Sequence, residues 1–525
     1  MDKVIEIYDS TLRDGAQGEN ISFSVEDKLN ITLALDKLGV PFIEAGNPGS
    51  NPKDLAFFQR IRNYKLNYAK LVAFGSTRRK NTKVGEDKNI ASLLEAGTDY
   101  VAIFGKSWDM HALKVLNVDL EENLKMIFDS VEYLVAKGKK VVFDAEHFFD
   151  GYKHNAQYAI LTLERAVAAG AETICLCDTN GGSFPDEVAQ ITDIVKEKFP
   201  NVRIGIHAHN DNGLGVANTI IAVQKGATQV QGTLVGFGER CGNANLSTII
   251  PNLQLKLGYK CLPNNNISEL TNVALTVADI ANISLVNNMP YVGASAFAHK
   301  AGMHADGVIK SSESFEHIAP ESVGNTRRFL ISEIAGKSAI VKKLNKYFPS
   351  LDKNSVEVEK IVRRLKELEL NGYSFESAEA SFIIEIMNIL DKFKPSFELI
   401  SFKVINEQPH IEGNYATAVV KVRVGAETRL CTSEGDGPVN ALDKALRLAL
   451  VHFYPDIEMI SLVDYKVRVI SKNTDDATAS AVRVLITSTD GDSMWSTVGV
   501  SVDIIEASWK ALVDSIEYKL KIKNK

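Results

Sequence analysis

Eight short apolar runs recur through the first half of this 525-residue chain, and their spacing constrains the fold more than any other feature. They are VIEIYD (4–9), PFIEAG (41–46), KLVAFG (70–75), YVAIFG (100–105), KVVFDAE (140–146), TICLCDT (173–179), RIGIHAH (203–209) and QVQGTLVG (229–236). Consecutive runs begin roughly 25–40 residues apart, room for one helix each. The intervening segments carry helical patterns such as VEDKLNITLALDKLG (25–39) and NLKMIFDSVEYLVAKG (123–138). Several close on glycine, as helix C-termini do. Short, largely apolar strands separated by helices read as buried parallel strands. Eight such units close naturally into a (β/α)₈ TIM barrel, whose usual length is about 250 residues. An open, doubly wound sheet is the competing arrangement.

A barrel carries its chemistry at the C-terminal ends of its strands. Polar residues gather there: Asp9, Arg13 and Asp14 after the first run, Glu44 in the second and Glu146 in the fifth. Asp178 and Thr179 end the sixth, and His207 and His209 end the seventh. His207 and His209 are two residues apart on a strand, so both side chains share the inward face. A single such histidine reads as a hydrogen-bonded core residue, but a pair at a strand end can bind a divalent ion. Most such ions also take a hard oxygen ligand. The last strand of a barrel closes on the first, which brings the loop STLRDGAQ (10–17) within reach of the seventh strand. Asp14 can supply the carboxylate, and Asn243, in GFGERCGN, is a further oxygen candidate. Arg13 suits a carboxylate or a polarised carbonyl, or simply a salt bridge to Glu44. Glu146 follows an apolar strand, where desolvation would make it a usable base; its plainer role is an ion pair with Lys or Arg at the rim. The glycine-rich GFGERCGN is by itself a weak phosphate signal.

Net charge is −7, which argues against a nucleic-acid partner. No apolar run reaches the roughly 18 residues of a membrane-spanning helix, so no membrane partner is expected. The chain enters a strand at once, without the pattern of a signal peptide. Cys175 and Cys177 lie in an apolar run and read as reduced core thiols in a cytoplasmic protein; a zinc pair would need C-x-x-C spacing or further ligands.

The texture changes after Cys261. PNNN (263–266) breaks the pattern, and helical segments follow, among them VEVEKIVRRLKELEL (356–370) and ASFIIEIMNIL (380–390). From about 397 the chain is strand-rich and repeats itself. FKVIN, from 402, matches YKVRVI, from 465, and AVVKVRV, from 418, matches AVRVLIT, from 481. Each copy reads as three strands and one helix. The expected organisation is a catalytic barrel over 1–262, helical connecting subdomains over 263–392, and a C-terminal α+β domain with a tandem βββα repeat over 397–525.

DSTLRDGAQGEN (9–20), GIHAHND (205–211), GFGERCGNANL (236–246) and the tandem repeat together resemble the 2-isopropylmalate/citramalate/homocitrate synthase family. The resemblance covers nearly the whole chain. FEHIAPESVGNTRRFLISEIAGKSAI (315–340) is similar to the citramalate branch, where the isopropylmalate branch tends to carry a GKHSGRHA-like segment. The resemblance implies a metal-dependent Claisen-type condensation of acetyl-CoA, as co-substrate, with a 2-oxo acid, pyruvate for this branch. Asp14, His207 and His209 match the family's metal ligands, and Asn243 its neighbouring asparagine. The divalent ion would be Mn, Mg or Zn. Arg13 matches the residue that stabilises the substrate oxygen, with Glu44 in support. Thr179 matches a residue contacting the substrate carboxylate, and Glu146 the acid/base glutamate. His304 matches a histidine brought in from the connecting region, and Asp306 follows it. Asp144 stands at the substrate wall, where some relatives carry an aromatic residue, and Phe315 replaces a frequent Tyr. The C-terminal repeat resembles a regulatory domain that binds an amino-acid end product at a dimer interface. This implies a homodimer and, for this branch, isoleucine as inhibitor.

Within the family the alternative is a 2-isopropylmalate synthase of the leucine pathway, acting on 2-oxoisovalerate, and three readings outside it compete. A hydroxymethylglutaryl-type acyl-CoA lyase shares the DTLRDG-like start and the His-x-His pair, but has a different cysteine loop and lacks the C-terminal repeat. A non-haem iron oxygenase uses two histidines and a carboxylate, on other folds. A non-enzymatic amino-acid sensor would not need the intact Arg13, Asp14, Glu146, His207 and His209.

Overall fold

The computed structural model describes residues 4–263, 265–300, 302–330, 340–341, 344, 347–349, 351–352, 354–406, 416–470 and 480–523. The chain divides into two compact units, Met1–Phe297 with His317–Arg327, and Ala298–Glu316 with Arg328–Lys525.

In the first unit the eight apolar runs become eight parallel strands: β1 (Glu6–Asp9), β2 (Phe42–Gly46), β3 (Lys70–Ser76), β4 (Tyr100–Lys106), β5 (Lys140–Glu146), β6 (Thr173–Asp178), β7 (Arg203–Ala208) and β8 (Gln229–Gly232). They close into a barrel in sequence order, and β1 pairs with β8 from Glu6↔Gln229 to Asp9↔Gly232. Alternation sorts the side chains. Tyr8, Phe42, Val72, Tyr100, Val142 and Cys175 form a cluster inside the barrel. Their neighbours Ile7, Ile43, Ala73, Val101, Val141 and Ile174 join the larger core with the surrounding helices.

The helices are α1 (Val25–Leu38), α2 (Pro52–Ile61), α3 (Lys88–Ala96), α4 (Leu120–Ala136), α5 (Phe148–Ala168), α6 (Pro185–Lys198), α7 (Gly215–Gln224), α8 (Leu246–Pro251) and α9 (Leu270–Ile280). The first shows how the ends are set. Ser24 and Asp27 satisfy each other's backbone N–H in a capping box, and Gly39 stops the helix with φ 91°. Two strands are shorter than their apolar runs. β8 ends at Gly232 because the chain turns, with the Gly236 N–H donating to the Thr233 carbonyl. β7 ends at Ala208, and His209 pairs instead with Asn243 in an isolated bridge.

The second unit contains the paired short strands β9 (Ala298–His299) and β10 (Arg328–Phe329), helix α10 (Gly302–Lys310), and helices Val356–Leu370 and Glu379–Ile389. Two three-stranded antiparallel sheets follow. β11 (Glu398–Asn406), β12 (Ala416–Val424) and β13 (Glu427–Gly435) precede helix Pro438–Leu450. β14 (Ser461–Ile470), β15 (Ala481–Thr489) and β16 (Met494–Ser501) precede helix Ile504–Tyr518. This is the expected tandem βββα repeat. The copies agree in detail: the pairing slips between Leu399 and Ser401 in one, and between Leu462 and Asp464 in the other. Among the described residues no helix is long and apolar enough to cross a membrane. Residues 331–339, part of the 315–340 stretch, lie outside the described residues.

Candidate active site

The site assembles at the C-terminal ends of β1, β2, β5, β6 and β7. After β1 the chain turns back on Ser10, whose carbonyl accepts from the N–H groups of Arg13, Asp14 and Gly15. That turn aims the Asp14 carboxylate at the seventh strand. Asp14 Oδ2 lies 3.2 Å from His207 Nε2 and 3.9 Å from His209 Nε2. All three side chains are buried, and their ligand atoms lie within 4.8 Å of one another. Asn243 belongs to the same corner through its bridge to His209. Its amide nitrogen donates to the Phe237 carbonyl, while its Oδ1 is buried without a partner among the described residues. An orphaned carbonyl oxygen beside one carboxylate and two imidazoles is the donor set a divalent cation takes.

The electrostatics agree. Burial works against a charged Asp14, but the Arg13 guanidinium and the two histidines outweigh it and hold the carboxyl well below its usual range. Burial, then the neighbouring His207, lowers His209 to about 4. A neutral imidazole is the form that ligates. Burial also disfavours a charged His207, but Asp14 overrides it and raises the pKa.

Arg13 is fixed from three sides. Its Nε donates to Glu44 at 2.5 Å, its Nη1 lies 3.1 Å from Asp14, and its guanidinium sits 3.8 Å above the Phe74 ring. Glu44 is fully buried and also accepts from the Tyr8 and Ser10 hydroxyls, each at 2.6 Å. The salt bridge to Glu44 weighed for Arg13 is present, and Arg13 also lines the cleft.

Arg13, Asp14, Asp144, Glu146, Thr179 and both histidines line one cleft of about 230 Å³. Glu146 differs from its expected setting. It is not enclosed in apolar surroundings: its side chain is 24% exposed and pairs with Lys106. The register of β4 on β5 places Lys106 beside Glu146, so the ion pair weighed as its plainer role is what stands here. The next residue, His147, has a left-handed φ of 56°, uncommon for a residue with a side chain. Its N–H donates to Thr179 Oγ1 at 2.9 Å, tying the ends of β5 and β6 together.

Asp144 is buried, and its Oδ1 accepts from Gln231 Nε2 at 3.0 Å. Burial, then the Glu44 charge, raises its pKa to about 7. Its carboxylate also lies within 4.8 Å of the Cys175 and Cys177 thiols, which are free and buried. Gln231, on β8, is a site residue that the sequence reading passes over. A single inward glutamine has no pattern of its own, although QVQ marks Gln229 and Gln231 as sharing the interior face.

Over the cleft, Arg240 pairs with Asp211 at 2.8 and 3.0 Å and donates to the Thr179 carbonyl. The Asn210 N–H donates to the Gly242 carbonyl. Gly242 has φ 83°, and a Cβ there would collide with the Gly236 carbonyl, so this loop needs glycine to present Asn243. His304 and Asp306 belong to the second unit, on α10. The His304 ring stacks on Phe315 at 4.2 Å, and Asp306 pairs with Lys310 at 2.6 Å.

Comparison with known proteins adds three family matches. An HMGL-like model matches residues 4–277, a homocitrate synthase post-HMGL domain-like model 291–372, and a LeuA allosteric (dimerisation) domain model 376–520. The (R)-citramalate synthase of Aquifex aeolicus (strain VF5) is 50% identical over 522 residues, covering 99% of this chain and 98% of that one. The (R)-citramalate synthase of Geobacter sulfurreducens is 48% identical over 518 residues, covering 98% of each. The 2-isopropylmalate synthase of Methanocaldococcus jannaschii is 31% identical over 515 residues, covering 98% of this chain and 94% of that one.

Proposed function

This chain belongs to the (R)-citramalate synthase family of HMGL-like proteins, and on that premise we propose that it condenses acetyl-CoA with pyruvate and water to give (R)-citramalate and CoA. It is an acyltransferase whose acetyl group becomes an alkyl group on transfer. The observation that carries the reading is the Asp14–His207–His209 cluster, set beside an Arg13 that Glu44 holds in place.

When bound by Asp14, His207 and His209, with Asn243 Oδ1 as neighbour, a divalent cation would supply Lewis acidity at the 2-oxo acid's keto oxygen. Arg13 keeps a positive edge towards that oxygen and stabilises the charge it gains as the carbon–carbon bond forms. Thr179 Oγ1 already accepts from His147, which leaves its own hydrogen for the substrate carboxylate. Glu146 takes a proton from the acetyl methyl, exchanging its Lys106 partner for substrate. For His304, exposed on α10 with Asp306 on the same helix, a proton-transfer role is proposed from the resemblance alone. Hydrolysis of the citramalyl thioester releases CoA and draws the condensation forward.

Mn, Mg and Zn all suit a ligand set of two imidazoles and oxygens. The five free thiols suit a reducing cytoplasm. The match to a LeuA allosteric (dimerisation) domain supports a homodimer regulated by an amino-acid end product, which we assign as isoleucine. The test is CoA-thiol release from acetyl-CoA with pyruvate and, separately, 2-oxoisovalerate. Release with pyruvate, inhibited by isoleucine, is expected. Release with 2-oxoisovalerate alone would make the chain an isopropylmalate synthase.

A further inference from the structure

Behind His207 runs a buried chain of hydrogen bonds that none of the roles above uses. His207 Nε2 faces Asp14 Oδ2 at 3.2 Å. Its other ring nitrogen, Nδ1, lies 3.0 Å from Gln231 Oε1, in register across β7 and β8. The far end of the same amide, Gln231 Nε2, donates to Asp144 Oδ1 at 3.0 Å across the barrel interior. Gln231 is fully buried, so water does not take over either contact.

An amide has one donor end and one acceptor end. With the donor end on the Asp144 carboxylate, the acceptor end must face His207, and it accepts only if the ring proton is on Nδ1. With Asp144 ionised, reversing the amide would set its oxygen against a carboxylate oxygen and its NH₂ against the ring. The neutral histidine is thereby held with its Nε2 lone pair free on the Asp14 side. This matters because the Asp14 carboxylate competes for the same proton. Without an acceptor at Nδ1, the proton would sit on Nε2 and bond Asp14, which blocks ligation. We propose that Gln231, anchored by Asp144, is a positioning residue that sets the His207 tautomer and so raises the affinity of the Asp14–His207–His209 site for a divalent cation. The inference rests on the metal reading above and gives Asp144 a role in holding Gln231.

The test measures Mn²⁺ affinity of the full chain without substrate, by electron paramagnetic resonance of the free ion. Loss of a partner behind a ligating histidine typically costs about 10–100-fold in affinity, and that weakening is expected for Gln231→Leu. The fold is checked by its thermal transition. Gln231→Glu sets two carboxylates against each other and should also weaken binding. The double variant Gln231→Glu/Asp144→Asn restores a complementary chain, since the new carboxylate accepts from both His207 and the new amide. It should bind within about threefold of the parent and at least tenfold more tightly than Gln231→Glu alone. ¹⁵N-histidine solid-state NMR of the metal-free parent, recorded at a pH above the raised titrations of His207 and Asp144, should show a protonated Nδ1 and a bare Nε2. Equal affinity for parent and Gln231→Leu, equal affinity for the Glu single and double variants, or a protonated Nε2 in the parent would each overturn the proposal. A parent that binds no Mn²⁺ removes the metal reading itself; a parent that binds while the variants match it removes this inference alone.

Discussion

Glu44→Gln removes one charge at the floor of the site and almost no volume. Glu44 is fully buried and accepts from Tyr8, Ser10 and Arg13 at 2.6, 2.6 and 2.5 Å. Glutamine can keep all three contacts, its oxygen accepting from Ser10 and Arg13 and its amide donating to the Tyr8 oxygen. What disappears is the anion facing Arg13, whose guanidinium then keeps Asp14 alone, at 3.1 Å. Breaking a buried ion pair costs about 3–5 kcal/mol, and the retained Asp14 places this case near about 3 kcal/mol. At about 2–4 °C per kcal/mol for a unit of this size, the barrel transition should fall by about 6–12 °C. Arg13 would also lean further on Asp14 and away from the cleft, so kcat should drop at least about tenfold, or about 1.4 kcal/mol of barrier. Scanning calorimetry and CoA-thiol release read the two effects. A transition within about 1 °C of the parent with unchanged kcat would refute the claim that Glu44 holds Arg13.

Asp14→Asn keeps the shape of the metal corner and removes its anion; Mn²⁺ affinity by titration should fall at least about tenfold. Gly242→Ala forces a side chain against the Gly236 carbonyl at φ 83°, so it should lower the barrel transition and weaken Mn²⁺ binding through Asn243. In the second unit, burial, then the Glu385 and Glu517 charges, raises Asp514 from 3.8 to about 7, against a hydrogen bond from Ser381. The folded state therefore holds this proton more tightly than the unfolded one, and the resulting stability is full below pH 3.8 and lost as pH rises through about 7. A rise from 3.8 to about 7 corresponds to about 4 kcal/mol, so Asp514→Asn should gain stability over the parent progressively from about pH 4 to about pH 8 in thermal melts.

The barrel was legible because buried parallel strands must be apolar along their length, and eight such runs leave few ways to close a sheet. The Asp14–His207–His209 cluster was legible for a related reason. Period-two alternation aims His207 and His209 the same way, and ring closure carries the Asp14 loop to them. The repeat was legible from the matched sequences of β11 with β14 and of β12 with β15, whereas the slip in pairing that the copies share shows only in the structure. Other contacts depend on information no single segment holds. The Lys106–Glu146 pair is set by the register of β4 on β5, which places those two residues opposite each other. Apolar flanks alone therefore suggested a desolvated Glu146. The Gln231–Asp144 bond spans the barrel interior between strands far apart in sequence, and neither residue type at either position announces the other.

The central claim is that Asp14, His207 and His209 hold a cation that the condensation of acetyl-CoA with pyruvate requires. Its most direct measurement follows the rate of CoA-thiol release by metal-stripped protein as Mn²⁺ is added back, with citramalate counted alongside. A negligible rate is expected without metal, followed by saturation at one ion per chain and one citramalate formed for each thiol released. A full rate in the stripped protein, or thiol release without citramalate, would contradict it.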